Sequence, residues 1–426
     1  MTEEIAHRED ELVDLLRTLI GFDTRTHSHD EPAREERALQ EHLAGRLRAA
    51  GAEVRVFEPG PELVAGHPYA PDGFDFVGRP QLVARFAGRG RGRSLLFNGH
   101  IDVVDVEPRD EWTHDPLAGE AAGGRLYGRG ACDMKGGIAA MVLAAEVLAA
   151  LDVPLAGDLT VNTVTDEEST GAGGLVSART LRPDAAIVTE PTALEVAVAC
   201  RGSLLPTISV EGRSGHAGIP PRPPDEGGAV NAIEKATLVL DSVARLREHW
   251  EKLPPHPYLA PADCVPTRIS GGEWLVSYPA RCRVDCHVEY LPTQADADGW
   301  GSDVEREFER WIADAAAEDP WLCEHPPLVE WLVGGVPPAE VPDDSPVAAI
   351  ALAALAGVGR ESRLAGFQNW HDGATLTVEG GIPAVALGPG DLHVAHSVDE
   401  HVPVAELVAC AQALAVTAMR FCGTVD

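Results

Sequence analysis

Basic residues are scarce in this chain: Lys and Arg number 34 against 67 Asp and Glu in 426 residues, a formal net charge of −33. A surface that acidic repels phosphate backbones and anionic headgroups, which argues against nucleic acid and membrane as partners. Cysteine is sparse as well. Eight in 426 residues are too few for a disulfide framework. Cys282 and Cys286, four apart in a strand-like segment, read as reduced thiols packing on one face, because no second cysteine pair or nearby histidine completes a zinc pattern. No apolar run has the length of a bilayer span; the run at 137–151 is broken by Glu146. The opening residues, MTEEIAHRED, lack the basic start and apolar run of a secretory signal. These absences predict a soluble, cytoplasmic protein. At 45 % hydrophobic and 24 % charged, the composition is that of a globular chain with one large domain or two.

Leu12, Leu15, Leu16 and Leu19 recur at helical spacing, and so do Leu39, Leu43 and Leu47, with Gly51 as a stop. A strand is expected at 52–57, followed by an irregular, Pro- and Gly-rich insertion at 58–80. Strands at 81–86, 94–97, 158–165 and 185–189 then alternate with a helix at 134–150. That alternation predicts an α/β layer with a mixed, largely parallel sheet flanked by helices. The character changes near residue 205. A strand at 205–211, a helix at 225–250, strands at 265–269 and 282–290, a helix at 297–317 and a strand at 328–332 follow a βαββαβ order. This is a small α+β unit of ferredoxin-like type. The α/β pattern resumes after Pro337 and Pro338: Ser345–Pro346 starts a helix, 381–388 reads as a buried strand and 402–421 as a closing helix. The organisation expected is one domain, 1–204 and 336–426, split by an inserted domain, 205–335.

Chemistry-bearing residues fall at the ends of these elements. The buried run 95–102 ends in His100-Ile101-Asp102. A histidine at a strand's C-terminal end sits where open α/β sheets bind ligands, and a carboxylate two residues on can accept its other ring N–H. Alone, such a histidine is more often a structural or exposed residue than a ligand. Asp133 lies in a glycine-rich turn before a helix, where capping would also account for it. The strand at 158–165 runs into Asp166-Glu167-Glu168, either a solvated acidic loop or three carboxylates held together at a cost that cations would offset. The strand at 185–189 ends in Glu190, and His396 follows the 388–390 turn. Taken together, imidazole and carboxylate ligands without cysteine suit zinc, cobalt or manganese. Five of them exceed the needs of one four-coordinate zinc with an open position, and suit two ions sharing one carboxylate.

In order, GHIDVV, GRGACDMKGG, TDEES, TEPT and AHSVDE resemble the motifs of the dinuclear zinc amidohydrolases, the family of acetylornithine deacetylase, succinyl-diaminopimelate desuccinylase, aminoacylase and carboxypeptidase G. The likeness spans nearly the whole chain. It implies that His100, Asp133, Glu168, Glu190 and His396 bind two divalent ions, zinc first, with Asp133 shared. Asp102 would orient His100. Glu167 would be the general base toward a water between the ions. The inserted domain would be a lid and dimerisation domain, making a homodimer in which His216, in Ser214-Gly215-His216-Ala217-Gly218, reaches the neighbouring subunit's oxyanion. Asn369, His371, Asp372 and Gly388 fall in segments that lie near substrate in relatives.

Two departures stand out. Where relatives that act on amino-acid derivatives often have Asp-x-Arg, this chain reads Asp285-Cys286-His287, and the preceding segment reads Glu273-Trp274-Leu275-Val276-Ser277-Tyr278-Pro279. A neutral imidazole cannot make a bidentate carboxylate pair; His287 is then either a substrate contact of another kind or a surface residue, with Arg201 or Arg281 as substitutes. The function expected is hydrolysis of a small N-acyl amide by a deacylase or deformylase, including one acting on an N-formyl aminopyrimidine. The alternatives are a dipeptidase or carboxypeptidase, and a non-catalytic relative, against which the intact Glu167 and ligand set argue.

Overall fold

A computed structural model describes residues 1–26, 33–220, 222–331 and 335–425. The chain forms two compact units. The first comprises Met1–Ala199, Ala339–Phe367 and His371–Asp426; the second comprises Cys200–Pro338 with Gln368–Trp370. The second unit thus begins five residues before, and ends three after, the segment expected from sequence. The cause is pairing: the strand Gly202–Leu204 joins the long strand Arg281–Tyr290, Ser203 bridges Val336, and Tyr290 Oη donates to the Val336 carbonyl. Gln368 enters the second unit through hydrogen bonds with Ala260, Tyr258 and Arg201.

In the first unit a nine-stranded mixed sheet runs in the order Glu53–Phe57, Gln81–Phe86, Leu159–Val164, Leu95–His100, Ala185–Val188, Ala384–Ala386, Val196–Cys200, Ala339–Glu340, with Leu364–Phe367 also on Val196–Cys200. Its four central strands, from Leu159–Val164 to Ala384–Ala386, are parallel, and the strands beside them are antiparallel. The middle strand Leu95–His100 is buried throughout, as expected of a strand covered on both faces. Polar side chains inside the sheet pair across strands: Asn98 Nδ2 donates to Asn162 (2.9 Å), which donates to the Leu82 carbonyl (2.8 Å) and accepts from Ser177, while Asn98 Oδ1 is buried without a partner.

Helix Lys135–Ala150 is buried from Lys135 to Leu148 and packs on Val404–Cys422, Glu9–Gly21 and the sheet. Val404–Cys422 is, among the described residues, the one helix long and apolar enough to cross a membrane, longer than the 137–151 run singled out in the sequence. It also packs on Pro346–Gly357. The 58–80 segment has no strand but is not loose. Tyr69, Phe74 and Phe76 are buried, the two phenylalanine rings meet edge to face at 5.0 Å, and Tyr69 Oη shares a 3.0 Å hydrogen bond with Thr375. Three buried aromatics contribute roughly 1.5–3 kcal/mol each.

The second unit is an antiparallel sheet in the order Asp263–Gly271, Arg281–Tyr290, Pro206–Glu211, Leu328–Trp331; Leu332, expected in the last strand, lies outside the described residues. Helices Ala232–Trp250 and Ser302–Ala317 bring Val239, Val243, Leu246, Phe308 and Ile312 onto the face formed by Ile208, Val210, Cys282, Val284, Cys286 and Val288. Cys282 and Cys286 are free and share that buried face. The first helix starts later than the expected 225. Pro224–Glu226 is a single 3-10 turn ended by Gly227 at φ 79°, and the Asn231 carboxamide caps the true start by accepting from Ile233 N–H at 3.0 Å. The second starts at Ser302 because Asp296 accepts from Asp298 and Trp300 and holds a turn ahead of it.

Candidate metal centre and active site

Because the four central strands are parallel, their C-terminal ends lie along one edge of the sheet, where open α/β folds bind ligands. Leu95–His100 delivers His100 there, Leu159–Val164 leads to Asp166, Glu167 and Glu168, and Ala185–Val188 leads to Glu190. Asp133 comes from the turn before helix Lys135–Ala150, and His396 from the turn after Leu392–Val394. The helix approaches the sheet closely at this point. A Cβ on Gly137 would lie 2.0 Å from the Thr189 carbonyl oxygen, one residue before Glu190.

Two groups of ligand-capable atoms result, each within 4.8 Å: His100, Asp133 and Glu190, and Asp133, Glu168 and His396. Asp133 is common to both. His100 Nε2 is 3.1 Å from Asp133 Oδ1 and 3.7 Å from Glu190 Oε1. His396 Nε2 is 3.0 Å from Glu168 Oε1 and 3.4 Å from Asp133 Oδ2. Glu167 belongs to neither group, yet its carboxylate reaches within 4.0 Å of His100 Nε2. Asp102 fixes this arrangement in two ways. Its backbone carbonyl, rather than its carboxylate, meets His100 Nδ1 at 2.8 Å, which sets Nδ1 as the protonated nitrogen and aims Nε2 at Asp133 and Glu190. Its carboxylate, 3.8 Å from Nδ1, accepts the Glu167 and Glu168 N–H groups at 3.3 and 3.0 Å.

The electrostatics call for cations. Burial, followed by the charges of Glu190 and Asp372, pushes the Glu167 carboxyl well above its ordinary range. Glu190 is driven the same way by burial and the Asp133 charge, and Asp102 is pushed up to about 7. Burial would lower the His100 imidazole, but the surrounding carboxylates more than offset it and raise it well above normal. Hydrogen bonds to Asp133 and Glu168 raise His396 to about 10. Buried carboxylates in this number stay ionised together only with positive charge beside them. Glu190 Oε1 is also buried without a hydrogen-bond partner. An oxygen and imidazole donor set with an unsatisfied, inward carboxylate oxygen fits two divalent ions of the zinc, cobalt or manganese type.

The other residues singled out in the sequence fall in different places. Asp372 is the first residue of helix Asp372–Val378, 1 % exposed, with both carboxylate oxygens unpartnered; its charge acts on His100, Glu167 and Glu190. His371 caps that helix by accepting from Gly373 N–H, and burial lowers its imidazole to about 3. The N–H and carbonyl of Gly388 are taken by Thr192 and Leu194, and a Cβ there would meet the Glu190 and Thr189 carbonyls at 2.4 Å. In the second unit, His287 Nε2 lies 2.9 Å from Ser203 Oγ and 3.1 Å from Glu289. Arg201 donates to the Gln368 carbonyl and faces Glu289, while Asn369 and His216 are exposed. Sequence reasoning missed Arg79, which the irregular 58–80 segment carries to a buried pairing with Asp166 at 3.2 Å. It also missed the role of Lys135, whose buried Nζ ties the Leu19 and Phe22 carbonyls.

The family model for Peptidase family M20/M25/M40 matches residues 96–420, and the chain belongs to that family of amide hydrolases. Among its relatives, the N-formyl-4-amino-5-aminomethyl-2-methylpyrimidine deformylase of Bacillus subtilis is 30 % identical over 430 residues, covering 96 % of this chain and 94 % of that protein. The acetylornithine deacetylase of Photorhabdus laumondii is 29 % identical, covering 92 % of each. The fold is also that of the Bacillus subtilis YXEP protein, described as a dinuclear metal binding peptidase, with TM-score 0.66 and 16 % identity over 99 % of this chain and 100 % of that one.

Proposed function

We propose that this protein is a dinuclear metal-dependent amidohydrolase that cleaves a small N-acyl amide to an amine and a short carboxylic acid. The observation that carries this reading is the pair of ligand groups hinged on Asp133, with the Glu167 carboxylate beside them and in neither. Divalent ions there would polarise the amide carbonyl and make water acidic enough to attack near neutrality. Glu167 accepts the proton of the attacking water and returns it to the departing nitrogen. Asp102 holds the backbone of Glu167 and Glu168 and the tautomer of His100 during these transfers. Asp372, buried and unpartnered, is the candidate contact for a donor group on the substrate. The free cysteines fit a reducing, cytoplasmic compartment.

Similarity to the pyrimidine deformylase supports an N-formyl amine as the first substrate class to test. The screen uses protein loaded with Zn2+, Co2+ or Mn2+ against N-formyl, N-acetyl and N-succinyl amines and dipeptides, read by amine release. Turnover of dipeptides alone would overturn the non-peptide assignment. The state of His287 bears on the same question. Its ring is held between Ser203 and Glu289, and Arg201 is likewise engaged, so neither offers a clamp for an α-carboxylate. Matched substrates with free and amidated carboxylates should therefore differ by less than roughly 2 kcal/mol in kcat/KM. A larger loss on amidation would reveal a clamp.

A further inference from the structure

The AHSVDE motif ends in Glu400, to which the two-metal reading gives no task. Its side chain is fully buried. Oε1 accepts two backbone N–H groups, from Cys132 at 2.9 Å and Asp133 at 3.0 Å, and Oε2 accepts from Arg129 Nη1 at 2.5 Å. The Glu400 carbonyl accepts from Gly128 N–H at 2.9 Å. Arg129 is 2 % exposed, donates to the Asp105 and Ser397 carbonyls, and lies over the Trp112 ring at 5.2 Å. Two turns are thereby locked together: 128–133, which carries Asp133, and 396–400, which carries His396. The second turn holds His396 at φ 60° and Asp399 at φ 56°, a left-handed conformation that non-glycine residues seldom adopt without outside support. A buried ion pair is often no more stabilising than apolar residues of the same volume, so stability alone is a poor reason for this one. Geometry is a better reason, because the two N–H groups that Glu400 holds belong to the peptide units leading into Asp133.

We infer that Glu400, with Arg129 as its counter-ion, is a positioning residue that sets the Asp133 carboxylate between the two ligand groups and holds His396 in register with it. The inference rests on the reading of Asp133 as a shared ligand. Because Asp133 enters both groups, disturbing Glu400 weakens both ion-binding steps. Loss of His396 weakens one.

Equilibrium dialysis with Zn2+ and the visible absorption of bound Co2+ test this on full-length protein. Partners that orient a metal ligand typically contribute about 10–100-fold in affinity. Arg129→Met/Glu400→Leu, which removes charge and acceptor together, should lose affinity in that range at both steps. Arg129→Met/Glu400→Gln keeps an acceptor for the two N–H groups and should recover most of it. Glu400→Asp keeps the charge but withdraws the carboxylate by one methylene. It should weaken both steps and shift the Co2+ spectrum, and it serves if the leucine variant does not fold. Wild-type affinity at both steps in folded Glu400→Asp, or equal affinities for the two double variants, overturns the inference. Asp133→Asn separates the two claims. If it keeps both ions, the shared-ligand reading itself fails. If it loses both while the Glu400 variants keep them, only the role of Glu400 fails.

Discussion

Glu167 and Glu168 are neighbours in sequence, and Asp102 takes the N–H of each, yet their carboxylates have different company. Glu168 meets His396 at 3.0 Å within a ligand group, whereas Glu167 stands outside both groups. Substitution should split accordingly. Glu167→Gln is expected to keep two ions per chain by elemental analysis while kcat falls by about 10²–10⁴-fold, the usual contribution of a general base. Glu168→Ala should instead lower ion content before any kinetic constant is read. Activity of Glu167→Gln within a few-fold of wild type would remove it as the base. The residue scale is also where the sequence was most legible. His100, Asp133, Glu168, Glu190 and His396 each sit beside a strand end or turn that their own segment announces. It was least legible for contacts made across the chain: Arg79 with Asp166, and Glu400 with Arg129, are 87 and 271 residues apart, and no local pattern marks such pairs.

Among the elements, helix Lys135–Ala150 shows how packing overrides propensity. Alanine is normally favoured over glycine within a helix by about 1 kcal/mol. At Gly137 the added methyl would meet the Thr189 carbonyl at 2.0 Å, and forced contacts of this kind typically cost about 1–3 kcal/mol. Gly137→Ala should therefore lower the urea midpoint rather than raise it. In the second unit, strand Arg281–Tyr290 carries Asp285, which accepts from Arg283, Thr207 and Arg268. Burial opposes its ionisation, but these bonds prevail and bring the carboxyl down to about 2. A depressed carboxyl stabilises fully above its unfolded value near 4, and that contribution is lost as pH falls through the folded value. The stability gap between wild type and Asp285→Asn should be largest above pH ~4 and shrink toward pH ~2; a gap constant across that window would deny the linkage. Helices and strands in the middle of each run were readable from periodicity. The start of Pro346–Gly357 was readable too, from its Ser345 cap; those of the two second-unit helices were not, because Asn231 and Asp296 act through caps and turns whose partners only the folded backbone supplies.

At the scale of the whole molecule, the open question is what His216 does in a unit that contains none of the metal ligands. It lies in the short strand Gly215–His216, paired with Ser277–Tyr278. Its Nδ1 accepts from Gly218 N–H at 3.0 Å, which leaves Nε2 to carry the proton as a donor. The surface beside it is apolar: Ala217 N–H bonds the Val276 carbonyl, and Ile219, Trp274, Leu275 and Val276 are 61, 70, 100 and 49 % exposed. Apolar side chains clustered this way commonly mark a surface that another chain covers. We propose a homodimer in which His216 donates to the developing oxyanion of the partner subunit; removing one such donor typically lowers kcat by about 10²–10³-fold. Mixing His216→Ala with Glu167→Ala protein under subunit exchange decides the matter. Acting in trans, the heterodimer gathers both lesions in one site and leaves the other whole, so about half of wild-type activity per heterodimer returns. Acting in cis, each site keeps one lesion. Exchange verified by mass spectrometry without recovered activity would then place His216 outside its neighbour's chemistry.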